Sequence, residues 1–148
     1  MKLGILAKKS TPQLRLLATL PKTVTVVTGE TVQELNSELA NLDALLVWNG
    51  GRAEVEEILG SAPKLKWIHC RYAGVDSLLS PALIASPVTL TNARGVYARS
   101  LAEFVIAGMM YFAKDFPRML RNKEKKNWEQ FPVEELSKKT VVIFGSVS

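Results

Sequence analysis

The sequence predicts an α/β fold: a flavodoxin-like parallel sheet with flanking helices, followed by a long apolar helix and the first strand of an incomplete Rossmann domain. Three observations carry this expectation. Short β-branched or aliphatic runs recur near residues 3, 24, 44 and 65, helix-period segments separate them, and after residue 96 the pattern switches to one long apolar stretch.

Leu3 to Ala7, Val24 to Thr28, Ala44 to Trp48 and Leu65 to Cys70 each have the length and composition of a strand. Thr11-Pro12 places a cap before a proline at the first helical position, and Thr31 to Glu34 fits a capping box. Val55, Ile58 and Leu59 give a third short helix its apolar stripe. Strands alternating with helices at this spacing imply parallel pairing through right-handed crossovers, with both faces covered.

Beyond Val88 to Thr91, residues 97 to 120 form one helical segment in which Phe104 to Ala113 carries no charge, so several of its sides must be buried. Pro117 is expected to kink or end this helix, and Thr140 to Phe144 to form a new strand running into Gly145. A boundary near Asn92 to Tyr97 divides the chain into a domain at 1–96 and a second at 97–148. One apolar helix and one strand cannot close a core, so the second region needs further chain or another subunit to cover it.

Composition narrows the function. With 148 residues, 47% hydrophobic and 22% charged, the chain can bury an ordinary core, and it contains no 18-residue apolar run. A soluble cytoplasmic protein with no membrane role is expected. The net charge of +5 invites a nucleic-acid partner, but residues 114–139 hold eight basic against five acidic residues, and the interleaved Asn127-Trp128-Glu129 offers no stacking platform. No nucleic-acid binding is expected. A single cysteine, Cys70, and a single histidine, His69, leave too few ligands for a metal cage. His69 lies inside a strand, which suits a satisfied core or edge histidine better than a catalytic acid. Arg52, after Gly50-Gly51, has the marks of a surface arginine.

The chemistry concentrates in three places. Val141-Val-Ile-Phe-Gly145 is how a dinucleotide-binding unit opens, with glycine where the chain turns under a pyrophosphate; the second glycine position of that fingerprint is Val147. Amides after the strand ending at Cys70, with Gly74 among them, can form an anion-binding concavity. The alternative there is an ordinary strand-to-helix turn capped by Asp76. Tyr97 to Ser100 open the long helix.

Leu65 to Leu79 with its Ala-Gly-Val-Asp core, Thr91 to Glu103 with its Asn-Ala-Arg-Gly-Val-Tyr-Ala core, and Leu136 to Gly145 resemble, in order and spacing, three landmarks of the D-isomer-specific 2-hydroxyacid dehydrogenases. The resemblance implies a two-domain NAD- or NADP-dependent enzyme with its active site between the domains. It implies that Ala73, Gly74 and Val75 hold the substrate carboxylate, that Tyr97 lies beside the substrate, and that Ser100 and Gly145 belong to the cofactor side. Tyr97 and Ser100 could equally be ordinary first-turn residues. The family's catalytic histidine, its paired carboxylate and its arginine all follow the phosphate turn. No catalytic residue is therefore expected in this chain, which should be inactive and should not bind the cofactor by itself. The substrate expected for the complete enzyme is a small 2-hydroxy or 2-oxo acid.

Two other functions are compatible with the pattern. A flavin-binding module would use the Lys8-Lys9-Ser10-Thr11 turn, which lacks the glycine and hydroxyl density of a phosphate cradle. A receiver domain would need an aspartate where the third strand ends in Trp48-Asn49. The stronger competitor is a non-catalytic interaction module, a homo-oligomer or a partner of an intact relative, associating through the 97–120 helix.

Overall fold

The computed structural model describes residues 1–144, and Gly145, with the sequence departure expected at Val147, lies outside the described residues. The chain divides into two compact units, Met1–Arg94 and Gly95–Ser148.

In the first unit, strands β1 (Lys2–Leu6), β2 (Thr25–Gly29), β3 (Ala44–Val47), β4 (Trp67–Cys70) and β5 (Thr89–Asn92) form one sheet in the order β2-β1-β3-β4-β5. All four pairings are parallel, and this order is the flavodoxin-like one. Each parallel pair must be joined by a crossover, which the helical segments between the runs supply. Helices α1 (Val32–Leu35), α2 (Arg52–Ser61) and α3 (Pro81–Ala85) do this together with two 3-10 segments, Pro12–Thr19 and Leu39–Asn41.

One sheet face carries the main core. Leu6, Leu45, Val47, Ile68 and Cys70 alternate onto it and pack under Val32 and Leu35 of α1 and Val55 and Ile58 of α2. Leu42, fully buried, approaches β1 so closely that a Cβ on Gly4 would stand 2.7 Å from its Cδ1, so this position admits only glycine without repacking. The N–H of Lys2 donates to Asp43 Oδ2 at 2.7 Å, fixing where β1 enters the sheet.

Two start signals act differently from expectation. Thr11 makes no side-chain cap, and the segment after it is 3-10 rather than α, with no buried residue. Short helices draw their stability from packing, and a segment that buries nothing has little to favour the longer-period form. Thr31 does accept the N–H of Glu34, at 3.4 Å. The return bond of the box is shifted by one residue, since Glu34 Oε2 accepts from the N–H of Glu30 at 3.5 Å.

In the second unit the expected single helix is two: α4 (Ala98–Ala113) and α5 (Phe116–Glu124). Between them Asp115 takes a left-handed conformation, φ 46°, and its Oδ1 accepts the N–H of Arg118 at 3.2 Å. Pro117 therefore opens α5 instead of kinking α4. Proline fits a first helical turn because its missing N–H would find no helical partner there. The strand expected at 140–144 is not formed, and Val141 to Phe144 are exposed. No described strand of this unit lies beside them, and a lone strand leaves its N–H and C=O groups without a ladder.

A strap after α5 folds back along it. Glu129 accepts from Arg118 and from Asn122 Nδ2, the latter at 2.8 Å, while the Arg118 guanidinium lies 4.4 Å from the centre of the Phe131 ring. The N–H of Asn127 donates to the Asn122 carbonyl at 2.9 Å. The Arg118 and Asn122 bonds hold the Glu129 carboxyl well below its ordinary 4.5, at about 2. Because the folded value is the lower one, the strap's attachment is complete above the ordinary value and is lost as pH falls toward about 2. NMR of Phe131 across this range should show the strap held through about pH 4 and released below it, whereas Glu129→Gln should loosen it at neutral pH and remove the acid transition.

Candidate functional site

Parallel pairing brings the carboxyl ends of the strands to one edge of the sheet, which is where open α/β sheets place their ligands. Leu6 pairs with Val47, Val47 with Cys70, and Cys70 with Asn92. The segments that follow these four residues therefore emerge side by side.

After β3, Gly50 takes φ 105°, and a Cβ there would stand 2.7 Å from Leu6 Cδ2, so both backbone and packing require glycine. The N–H of Gly51 donates to Glu54 Oε2 at 2.9 Å, which holds the Glu54 carboxyl below its ordinary range. That acid is committed to starting α2.

After β4, three carbonyls of the loop are engaged, those of Tyr72, Ala73 and Val75. The N–H of Ala93 donates to Tyr72 O at 3.0 Å, Asn92 Nδ2 to Ala73 O at 2.6 Å, and the N–H groups of Leu78 and Leu79 to Val75 O at 2.8 and 3.1 Å. The N–H of Tyr72 finds Cys70 Sγ at 3.4 Å. Among the described residues, the N–H groups of Ala73, Gly74 and Val75 have no protein acceptor. Consecutive backbone donors on an exposed loop are the groups from which anion-binding concavities are built. Asp76 does not cap the next helix. That role belongs to Ser80, whose Oγ accepts the N–H of Leu83 at 3.1 Å at the start of α3. A Cβ on Gly74 would meet only Asp76 Oδ2, at 3.4 Å, so the fold itself makes no demand for glycine here.

Sequence inspection passed over Asn92 and Arg71. Asn92 orients the loop through Ala73 O. The Arg71 guanidinium carbon lies 4.4 Å from the ring centre of Tyr72 and 5.3 Å from that of Trp48, and Nη2 donates to the Tyr72 hydroxyl at 2.7 Å. The available signal was an arginine directly after one strand with an aromatic residue directly after its neighbour.

His69 lies within β4, half-buried, with Nδ1 2.8 Å from Thr91 Oγ1, which also accepts from Trp67 Nε1 at 2.8 Å. In the second unit, Tyr97 occupies the N-cap position of α4 without a side-chain cap, and Ser100 follows in its first turn. Both are exposed, and at a spacing of three they share one helix face. Gly145 lies outside the described residues. Among the described residues no three His, Cys, Asp or Glu side chains converge to hold a metal, and no helix is long and apolar enough to cross a membrane.

Residues 5–143 match the family model described as D-isomer specific 2-hydroxyacid dehydrogenase, catalytic domain. The chain belongs to this family. Among curated relatives, a D-3-phosphoglycerate dehydrogenase of Archaeoglobus fulgidus is 31% identical and one of Methanocaldococcus jannaschii 28%, each over 82% of this chain. The chain spans 23% and 24% of their respective lengths, about a quarter. Among solved structures, a D-isomer specific 2-hydroxyacid dehydrogenase family protein from Aeromonas salmonicida superposes with a TM-score of 0.71 at 23% identity, over 90% of this chain and 42% of that one. A D-lactate dehydrogenase from Aquifex aeolicus complexed with NAD and lactic acid gives 0.59 at 20% identity, over 89% and 39%. A family member from Xanthobacter autotrophicus in complex with NADPH and MES gives 0.63 at 20%, over 90% and 42%. At these identities the structures share the fold.

The contrast between the two glycines of this dehydrogenase-family site is open to measurement. Gly74→Ala should leave the unfolding free energy within about 0.5 kcal/mol, whereas Gly50→Ala should cost about 1–3 kcal/mol. Urea denaturation of the two variants checks this, and equal losses would mean that Gly74 serves the fold.

Proposed function

We propose that this chain is the substrate-holding part of an NAD(P)-dependent oxidoreductase acting on the CH–OH group of D-2-hydroxy acids or on the corresponding 2-oxo acids, and that Ala73, Gly74 and Val75 bind the substrate carboxylate. The observation that carries this is the set of three adjacent N–H groups with no protein acceptor among the described residues, on a loop whose Tyr72, Ala73 and Val75 carbonyls are bonded. A carboxylate presents several lone pairs to such donors, and each hydrogen bond to a charged group contributes about 1.5–3 kcal/mol before ordering costs.

In this proposal residues 1–96 form the substrate domain and 97–148 begin the cofactor domain. Tyr97 contributes to substrate binding, and Ser100 and Gly145 belong to the NAD(P) side. The described residues provide no cradle for a dinucleotide pyrophosphate, so no hydride step is assigned to them. They provide no acid for the reacting oxygen either, since the single histidine is bonded to Thr91 inside the sheet. The isolated chain should thus bind without turning over. A single buried cysteine suits a reducing, cytoplasmic setting.

A specific observation also favours association through α4. Phe104 and Phe112 are each 77% exposed, with Leu101, Val105 and Ile106 exposed beside them. Soluble monomers rarely leave contiguous apolar patches of this kind uncovered. Homo-oligomerisation or docking on an intact relative through this helix is the second reading.

Titration of the chain with glyoxylate should move the amide resonances of Ala73, Gly74 and Val75 with a Kd of roughly 1 mM, and Gly74→Val should weaken binding about tenfold or more by filling the concavity. Shifts that spare this loop would overturn the carboxylate assignment, and NADH oxidation above blank would overturn the inactivity of the isolated chain. Light scattering should find the chain associated and Phe104→Glu less so; a monomer in both would remove the second reading.

A further inference from the structure

We propose that the groove between α5 and the strap that follows it binds a small aromatic acid, whose ring stacks on Trp128 and whose anionic group meets Lys123. All the residues that form this groove belong to the second unit, so the proposal does not rest on the reading of the loop after β4. The groove has a volume of about 380 Å³. Sites for small molecules run from roughly 300 to 1,000 Å³, so it has room for a ligand of two or three rings. Met119, Trp128 and Phe131 supply its apolar surface, and Asn122, Lys123 and Glu129 are among its polar groups. A second groove shares Met119, Trp128 and Phe131 and adds Val133, so the Trp128 ring borders both.

The strap is anchored on either side of Trp128. Before it, the N–H of Asn127 donates to the Asn122 carbonyl at 2.9 Å. After it, Glu129 accepts from Arg118 and from Asn122 Nδ2, and the N–H of Glu134 donates to the Ala113 carbonyl at 2.9 Å. Trp128 is thus held at the rim by its neighbours while its own side chain is 90% exposed. An indole in this position is the best stacking surface a protein offers, and holding it beforehand lowers the cost of ordering it on binding. Met119 adds a polarizable side chain that adapts to a flat ring.

Charge then selects what the ring carries. Glu129, the acid lining the groove, is ion-paired with Arg118, whereas the Lys123 side chain has no partner among the described residues. Glu124, next in sequence, does not line the groove. One uncommitted cation beside an aromatic wall complements an aromatic ring bearing an acid. It does not complement an aromatic amine. A second copy of the chain is the poorer occupant. Two-fold docking brings the same surface against itself, and Arg121 to Lys126 holds four basic residues and one acid, all five exposed.

Two probes share one aromatic body and differ in a single sulfonate: 1-anilinonaphthalene-8-sulfonate and the neutral N-phenyl-1-naphthylamine. In titrations of the full chain followed by NMR, both should move the indole Nε1–H resonance of Trp128, the sulfonate with about threefold or more the affinity. Added salt should remove that advantage. Lys123→Gln should bring the sulfonate down to the level of the neutral probe and leave the latter unchanged. Lys125→Gln, which removes a charge that does not line the groove, should alter neither. Trp128→Ala should weaken both probes about tenfold, and Trp128→Phe should weaken them less. Because Trp128 is exposed, both variants should keep the native melting temperature. Phe104→Glu on α4 should leave both affinities as they are. Binding that leaves the Trp128 resonance unmoved, or that survives Trp128→Ala, would overturn the site. A sulfonate advantage that persists in Lys123→Gln would overturn the role of the lysine. Shifts of the Trp128 resonance with protein concentration alone, abolished by Trp128→Ala, would assign the groove to a second copy and overturn the proposal.

Discussion

Everything at the carboxyl edge of this sheet depends on one register row: Leu6 opposite Val47, Val47 opposite Cys70, and Cys70 opposite Asn92. The first three are buried and pack into the core, so the core fixes the row. The fourth sends its side-chain amide to Ala73 O. Because side chains alternate between faces, slipping β5 by one residue would turn Leu90 out of the core face and carry Asn92 away from the loop. The same hydrophobic pattern that holds the sheet together thus sets the shape of the candidate site.

That shape has an electrostatic consequence. With the carbonyls of Tyr72, Ala73 and Val75 bonded within the fold, the N–H groups of Ala73, Gly74 and Val75 are the donors this loop leaves over among the described residues. Neighbouring acids could cancel this, but the acid nearest the β3 turn is bonded to Gly51 and held ionised in that role. The Arg71 guanidinium, directly after β4, lies against the rings of Trp48 and Tyr72.

The parts of this architecture legible in the sequence are those set by local pattern. The four apolar runs became β1 to β4, shifted by a residue or two at their ends. What escaped was set by partners distant in sequence. Whether Pro117 ends one helix or begins another depends on Asp115 adopting a left-handed conformation, which the proline alone does not reveal. Whether Val141 to Phe144 pair depends on a strand beside them, and β propensity expresses packing more than backbone preference. Arg71 lies over the ring of Trp48, 23 positions away and after the neighbouring strand, a contact that the local pattern does not reveal. The resemblance to the family supplied the loop's role as an expectation, and the pattern of bonded carbonyls supplies its physical support.

The placement of His69 keeps its ring away from the strand ends. A proton donor to a reacting oxygen has to stand at the strand ends, within hydrogen-bond reach of the ligand. His69 instead sits one residue inside β4, with Nδ1 against Thr91 Oγ1 and Trp67 donating to that same hydroxyl. Freeing the ring would cost both contacts and still leave it on the strand, short of the loop where Ala73 to Val75 present their amides. Replacing Thr91 to release His69 would therefore add no acid to the site. It would only remove a bond between β4 and β5, the two strands whose register holds Asn92 against the loop. On the proposed reading the first unit holds an anion, and the proton donor of the reaction stands outside this sheet.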